Sequence, residues 1–239
     1  MKEKIVGIIG GMGPEATIDL MTRVLKATPA RDDIDHIRLV VDNNPKVPSR
    51  IKALVEKTGE NPLPCLQEMA QKLEQWGVDI LAIPCNTAHY YHEAIQKIVD
   101  IPVLNMIEMS VQVMISQNPG LKIVGILAST AVLKLGLYKN PFFHYGVKVI
   151  HPSDDLQSGI MAAIREIKTS KYGREVVRAV QTAADDLISK GAGALLVACT
   201  ELSIVANELK ITVPWYDSAQ VLADAIVQSA KGIDRRLYK

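Results

Sequence analysis

VDILAIPCNTA at residues 78–88 and AGALLVACTEL at residues 192–202 decide the fold class of this 239-residue chain. Each stretch is a short apolar run that ends at a cysteine and continues into polar residues. A continuous apolar run of this length, bounded by polar residues, is typical of a strand that is buried on both faces of a parallel sheet. The sequence therefore predicts two buried strands, one ending at Cys85 and the other at Cys199.

A second pair of similar stretches lies upstream, KIVGIIGGMG at residues 4–13 and KIVGILAST at residues 122–130. The interval from Ile5 to Cys85 is 80 positions and that from Ile123 to Cys199 is 76. The chain thus repeats itself weakly, and each half brings a cysteine to the same point past an apolar strand. Ligands of open α/β sheets bind outside the carboxyl ends of the strands.

The remaining pattern alternates short strands with amphipathic helices. Further strand candidates are HIRLVV, IPVLNM, KVIHP and ITVPWYD, and the apolar period of PEATIDLMTRVLKA and REVVRAVQTAADDLISKG predicts helices. We expect an α/β fold with two similar lobes, parallel-rich sheets flanked by helices, a pseudo-two-fold axis, and the active site in the cleft between the lobes. The first lobe is expected to comprise residues 1–109 and 214–239, and the second residues 110–213.

Composition excludes several classes of partner. Apolar residues make up 48% of the chain, charged residues 22%, and the formal net charge is +1. This balance gives no indication of binding to nucleic acid or to an anionic membrane. The amino-terminal stretch lacks the pattern of a signal peptide, and no apolar run approaches the roughly 20 residues that span a bilayer. We therefore expect a cytoplasmic protein.

The paired cysteines suggest acid–base chemistry. In a reducing cytosol the three cysteines should be thiols, and Cys65 is interpreted as a structural residue of a helix. Racemisation removes a proton from one face of a carbon and delivers one to the other face, so two opposed acid–base groups suit it. Cys85 and Cys199 could fill these roles, and a helix start after each would lower the thiol pKa.

Polar neighbours accompany both cysteines. Asn86, Thr87, Thr200 and Glu201 are able to bind a substrate carboxylate or to orient the thiols. The turn from Gly11 to Ala16 fits G-x-G-x-x-A, and Asp42 closes the next strand, so a nicotinamide-dependent dehydrogenase is an alternative. Pro14 removes one backbone donor from that turn, and a dinucleotide site gives no reason for matched cysteines. We favour a tight turn that brings the backbone of Met12 and Gly13 close to the ligand.

At these residues the chain resembles the aspartate/glutamate racemase family, and within it the aspartate racemase branch. The resemblance rests on GGMGPEAT at 10–17, DNNP at 42–45, PCNTAH at 84–89, ST at 129–130 and CTE at 199–201. It implies a two-lobed α/β structure, an amino-acid substrate, no pyridoxal phosphate, no metal and a homodimer. Glutamate racemases have Thr-His after the second cysteine where this chain has Thr-Glu, which favours aspartate or a broad range of substrates.

The resemblance also implies roles for particular residues. Cys85 and Cys199 match the catalytic thiols, and Asn86, Thr87 and Thr200 match substrate-binding residues. Arg50 is similar to a carboxylate-binding arginine, and Lys168 to a lysine for the distal carboxylate, although Lys171 is close enough to blur that assignment. Thr130 and Glu201, within the ST and CTE motifs, are counted as substrate-binding residues.

Alternative functions remain open from sequence. Maleate isomerisation, hydantoin racemisation and arylmalonate decarboxylation are related activities, and a non-catalytic protein that binds an acidic metabolite belongs to a different class. His89 and His92 lack a third ligand for zinc, and we interpret them as surface or packing residues. Asp217 is expected to cap the helix that follows it, or else to orient groups near the first cysteine.

Overall fold

The computed structural model describes residues 3–232, which form two compact units. The first unit takes the chain as far as Asn105 and again from Gln220, and the second takes Met106–Ala219. Both are built from parallel strands covered by helices, which confirms the predicted fold class. Within the described residues, no helix is both long and apolar enough to cross a membrane.

The first unit contains a three-stranded parallel sheet with the order β2-β1-β3. Its strands are β1 (Val6–Gly10), β2 (Leu39–Asn43) and β3 (Ile80–Ala82). Its helices are α1 (Pro14–Ala27), α2 (Leu63–Trp76) and α3 (His92–Gln96). Short turns of 3₁₀ helix lie at Asp33–Asp35 and Thr87–Tyr91, and a π-helical turn lies at Lys52–Glu56.

The second unit contains a four-stranded parallel sheet with the order β5-β4-β6-β7. Its strands are β4 (Ile123–Ala128), β5 (Lys148–Ile150), β6 (Ala194–Ala198) and β7 (Trp215–Asp217). Its helices are α4 (Met106–Gln117), α5 (Thr130–Lys134), α6 (Lys139–Phe143), α7 (Asp154–Ile167) and α8 (Arg174–Ser189), with 3₁₀ turns at Leu202–Ile204 and Ala206–Glu208. Helix α9 (Ser218–Lys231) begins in this unit and continues into the first.

The apolar character of the strands follows from burial on both faces. Every residue of β1, β3 and β6 is buried. In the second unit, Leu195 and Val197 of β6 pack into one apolar cluster with α7 and α8, while Leu196 packs into another with α4 and α6. Alternate residues of a strand point to opposite faces, so a strand covered on both sides has no polar positions.

Two predictions about the later strands are wrong. IPVLNM at residues 101–106 forms a single bridge, Leu81 with Val103, because the chain turns into α4 at Met106. The segment from Pro214 was assigned to the first lobe, yet β7 pairs with β6 in the second unit. The ladder to β6 fixes this strand, and only the continuation of α9 returns to the first unit.

The internal repeat is visible in the strand order. β2-β1-β3 in the first unit corresponds to β5-β4-β6 in the second. The bridge at Val103 lies on the outer side of β3, where the second unit has β7 on the outer side of β6. The two units therefore carry equivalent elements in equivalent positions.

Candidate active site

The carboxyl ends of the first sheet bring together three of the predicted site segments. The loop with Met12 follows β1, the loop with Arg50 follows β2, and Cys85 follows β3. Because the strands are parallel, these loops leave the sheet at one edge, which is where ligands of such sheets bind. Met12 and Cys85 also belong to the same buried apolar cluster, together with Val47.

The glycine-rich turn after β1 is shaped by a close backbone approach. Gly11 has φ +88°, and a methyl group there would lie 2.2 Å from the backbone carbon and oxygen of Asn44. Its N–H donates to Thr17 Oγ1 at 2.9 Å, and that hydroxyl donates to Gly13 O at 3.1 Å. The glycine at this point is thus explained by the tight strand-to-helix turn and the neighbouring loop, as the sequence predicts.

Arg50 joins the loops that follow β1 and β2. Its Nη1 donates to Pro48 O at 2.8 Å and Val47 O at 3.2 Å, and its Nη2 donates to Met12 O at 3.4 Å. A guanidinium carries five N–H groups, so these three contacts leave the fork able to bind an anion as well. The half-buried side chain therefore has a structural role, and its binding of a substrate carboxylate stays a prediction.

Cys85 is buried at the end of β3, with a relative exposure of 7%. Its N–H donates to Ile83 O at 2.8 Å, and its carbonyl oxygen lies 2.9 Å from Nδ1 of His89. Asn86 and Thr87, which follow it, are also buried. The predicted helix start after this cysteine is a 3₁₀ turn, Thr87–Tyr91.

The carboxyl edge of the second sheet holds Thr130 and Cys199. The last residues of the two strands, Ala128 and Ala198, are partners in the ladder between β4 and β6 and lie two and one positions before them. Thr130 N–H donates to Met161 Sδ at 3.2 Å, and its Oγ1 accepts from Gln157 Nε2 at 3.3 Å. Sequence reasoning missed Gln157, because no local motif marks a glutamine on α7 that reaches β4.

Cys199 is the first member of a chain of three side chains. Its thiol donates to Glu201 Oε2 at 3.1 Å, and Glu201 Oε1 lies 3.3 Å from Nζ of Lys168 at the end of α7. Cys199 and Glu201 are buried, whereas Lys171 is exposed. The contact therefore falls to Lys168, and the thiol is linked through a carboxylate to an ammonium group.

The predicted lowering of the thiol pKa is wrong for Cys199. Burial raises the pKa of Cys199 well above its usual value, and the negative charge and hydrogen bond of Glu201 raise it further. The helix that should favour the thiolate is only the 3₁₀ turn Leu202–Ile204, which is too short to offset these effects. The cysteines also have different surroundings, because the equivalent of Glu201 after Cys85 is Thr87. At neutral pH Cys199 is a thiol and can donate a proton.

Asp217 binds the 3₁₀ turn that follows Cys199. Its Oδ1 accepts hydrogen bonds from Ser203 Oγ at 2.5 Å and from the N–H of Ala219 at 2.9 Å. The second bond confirms the predicted cap on α9. The bond to Ser203 connects Asp217 with the turn after Cys199, and the alternative role near the first cysteine stays a prediction.

The ring nitrogens of the two histidines after Cys85 contact backbone carbonyl oxygens. Nε2 of His92 lies 2.8 Å from Val103 O, and the ring of buried His89 stacks on His92 with the centroids 5.9 Å apart. Burial lowers the pKa of His89 to about 4, so the ring is neutral at physiological pH. In residues 3–232 there is no group of three or more His, Cys, Asp or Glu that could hold a metal ion.

The predicted site residues are divided equally between the two units. The first contributes Met12, Arg50, Cys85, Asn86 and Thr87. The second contributes Thr130, Lys168, Cys199, Thr200 and Glu201. Contacts that bring predicted residues together are Arg50 with Met12 and the chain from Cys199 to Lys168.

Comparison with known proteins identifies relatives along nearly the whole chain. A profile of the Asp/Glu/hydantoin racemase family matches residues 9–226. The broad-specificity amino-acid racemase RacX of Bacillus subtilis (strain 168) is 29% identical over 229 residues, which cover 94% of this chain and 97% of that protein. The structure of Picrophilus torridus aspartate racemase gives a TM-score of 0.80 at 30% identity, with 98% of both chains covered.

More distant structures share the fold. An aspartate racemase homologue from Pyrococcus horikoshii OT3 gives a TM-score of 0.74 at 20% identity, with 95% of this chain and 99% of that chain covered. Glutamate racemase from Francisella tularensis, solved with D-glutamate, gives 0.69 at 17% identity, with 97% and 82% covered. At these identities the similarity is one of fold alone.

Proposed function

The chain belongs to the Asp/Glu/hydantoin racemase family, and on that basis we propose that it is an amino-acid racemase that works without pyridoxal phosphate or metal. Cys85 and Cys199 are the two acid–base groups of this proposal, one acting on each face of the substrate α-carbon. The observation that carries it is the internal repeat, in which a buried cysteine follows β3 in the first unit and the equivalent strand β6 in the second. If the cysteines only filled space in the core, there would be no reason for one to follow each of two equivalent strands.

The reaction needs only proton transfers. Cys85, as a thiolate, takes the α-proton as the Cα–H bond breaks, and the resulting carbanion takes the proton of the Cys199 S–H bond on its opposite face. Cys199 is left as the thiolate and Cys85 as the thiol, which is the arrangement required for the reverse direction. The hydrogen bond from Cys199 to Glu201 supports its role as the donor in this direction.

Glu201 and Lys168 control the charge beside the second thiol. The charge and hydrogen bond of Glu201 help to keep Cys199 protonated, so that the thiol is ready to donate to the carbanion. Lys168, 3.3 Å from Glu201, offsets the negative charge that would otherwise oppose a thiolate at this place.

Substrate binding is assigned to the polar groups at the two carboxyl edges. Arg50 binds the α-carboxylate, because its fork matches a carboxylate geometry. The other binding groups are the backbone of Met12 and the side chains of Asn86, Thr87, Thr130 and Thr200, with Lys168 for a distal carboxylate. Aspartate is the first substrate to test, since the chain is similar to an aspartate racemase, and the similarity to RacX calls for a wider panel.

Incubation with a panel of L-amino acids in deuterated water, without pyridoxal phosphate, tests the proposal. Chiral chromatography with mass analysis should detect the D-enantiomer with deuterium at the α-carbon. Cys85→Ser and Cys199→Ser should each abolish racemisation, whereas the matched control Cys65→Ser should keep the parental rate. Parental racemisation by either of the first two variants would refute the two-thiol mechanism.

Parallel incubations distinguish the alternative functions. A covalent succinyl adduct on one cysteine after incubation with maleate would indicate maleate isomerisation, in which the thiol is a nucleophile rather than a base. Binding of aspartate without α-deuterium incorporation would indicate a non-catalytic protein. Neither outcome is expected from a pair of acid–base thiols.

The proposal extends to a homodimer that acts in the cytoplasm. Its support is the family resemblance and the three cysteines, all of which are free thiols. Light scattering coupled to size-exclusion chromatography should give twice the chain mass of 26.2 kDa. A mass equal to one chain at working concentration would contradict the dimer and leave the racemase proposal intact.

A further inference from the structure

The side chain four residues beyond each cysteine reaches back to the carbonyl oxygen of that cysteine. In the first unit this residue is His89, whose Nδ1 lies 2.9 Å from Cys85 O. In the second it is Ser203, whose N–H donates to Cys199 O at 3.1 Å and whose Oγ lies 3.3 Å from the same oxygen. Two unlike residues thus contact the carbonyl oxygen of the cysteine at equivalent points of the repeat, His89 through its ring and Ser203 chiefly through its backbone N–H.

In the first unit, the histidine also holds a second segment of chain. The ring of His89 hydrogen-bonds the backbone of Leu104, and the stacked His92 lies 2.8 Å from Val103 O. The N–H of Leu104 in turn donates to Leu81 O on β3 at 2.8 Å. The cysteine turn and residues 103–104 are therefore fastened to each other through one buried ring.

In the second unit, the hydroxyl of Ser203 holds the second segment of chain. Ser203 Oγ donates to Asp217 Oδ1 at 2.5 Å, and that oxygen also accepts the N–H of Ala219 at 2.9 Å. Ser203 is fully buried and Asp217 is 6% exposed, so water competes little for either group. The Cys199 turn is therefore fastened to the end of β7 and the start of α9.

The two fastened segments are equivalent in the fold. Val103 bridges the outer side of β3 as β7 pairs with the outer side of β6. Each segment also comes directly before the chain leaves its unit, after Asn105 in one case and after Ala219 in the other. We propose that His89 and Ser203 are positioning residues, which fix each cysteine turn to the strand segment by which the chain leaves that unit.

The kinetic consequence of this positioning role rests on the racemase activity proposed above. A thiol that exchanges a proton with carbon must be held within a narrow range of distance and angle, and a misplacement of about 1 Å can cost about a hundred-fold in rate. His89 and Ser203 bind the peptide unit of the cysteine and not the substrate. Their loss should therefore lower kcat and leave KM nearly unchanged.

Single-thiol backgrounds make the test specific to one unit. In Cys85→Ser protein only Cys199 can exchange the α-proton, so deuterium incorporation into one enantiomer reports that thiol. Adding Ser203→Ala to this background should lower the exchange rate by about ten- to a hundred-fold. In the Cys199→Ser background, where Cys85 is the remaining base, Ser203→Ala should leave the exchange rate unchanged.

The histidine should show the reciprocal pattern. His89→Leu removes both ring nitrogens at similar volume and should slow exchange by Cys85, while exchange by Cys199 is kept. The conservative variants Ser203→Thr and His89→Gln retain a donor and should restore part of the lost rate. Ser158→Ala, which changes an exposed hydroxyl on α7, is the matched control.

Equal losses in both backgrounds would indicate general destabilisation and overturn the proposal, as would an unchanged rate in all of them. The alkylation rate of each cysteine by iodoacetamide, followed by mass spectrometry, gives a readout that needs no racemase activity. Ser203→Ala should change alkylation of Cys199 alone, and His89→Leu that of Cys85 alone. If racemisation is absent but this selectivity holds, the positioning role stands and the proposed function fails.

Discussion

Replacing Glu201 by glutamine should lower the pKa of the Cys199 thiol. In the parent, the carboxylate oxygen lies 3.1 Å from the sulfur, and its charge and hydrogen bond both raise the thiol pKa. Glutamine keeps the size and removes the charge, so the thiolate is no longer repelled. Burial, the largest cause of the raised pKa, is retained, and the pKa therefore stays above its usual value.

The size of the change follows from the distance. Two unit charges about 4 Å apart interact by about 4 kcal/mol at an effective dielectric constant of about 20. The ammonium of Lys168, 3.3 Å from the other carboxylate oxygen, offsets part of this repulsion in the parent. We therefore expect the pKa of the Cys199 thiol to fall in Glu201→Gln, by less than the full repulsion would give.

The pH dependence of alkylation measures this pKa directly. The double variant Cys65→Ala/Cys85→Ala leaves Cys199 as the one cysteine of the chain, so intact mass reports its reaction with iodoacetamide. Burial slows the reaction at every pH, but the midpoint of the rate curve still gives the pKa of the thiol. Glu208→Gln, at an exposed glutamate of the next 3₁₀ turn, is the matched control and should not move the midpoint. A midpoint that is unchanged or higher in Glu201→Gln would refute the reasoning.

Three further predictions concern stability and charge. Gly11→Ala, which meets backbone at 2.2 Å, should lower the free energy of unfolding in urea by at least about 2 kcal/mol, whereas Gly77→Ala, also at positive φ but with open space, should cost only about 1 kcal/mol. Because the folded pKa of His89 is about 4 and lies below its unfolded value of about 6.5, stability is complete above pH 6.5 and falls by about 3 kcal/mol as the pH drops to 4. The free energy of unfolding, measured by urea denaturation at several pH values in this range, should depend less on pH in His89→Leu than in the parent. The control His144→Gln should keep the parental pH dependence. Lys168→Met should raise the pKa of the second thiol in the alkylation experiment, because that lysine is a cation that lowers it; a fall would contradict this account.

Local patterns in the sequence predict most of the strands and helices of the fold. The apolar runs that end at Cys85 and Cys199 are strands in the structure, and the turn at Gly11 is as tight as its glycines indicate. These features could be predicted because burial on two faces and positive φ act on a few neighbouring residues. The same local view failed for IPVLNM, whose apolar residues suit a strand but which forms a single bridge.

The sequence by itself determined the α/β class, the internal repeat and the two cysteines that end matched strands. Only the tertiary structure decided that β7 pairs with β6, that Lys168 rather than Lys171 faces Glu201, and that Asp217 is bound to Ser203. These contacts join residues that are distant along the chain, so their geometry depends on packing that no local pattern encodes. The raised pKa of Cys199 has the same origin, because burial and the charge of a neighbouring carboxylate are properties of the folded chain.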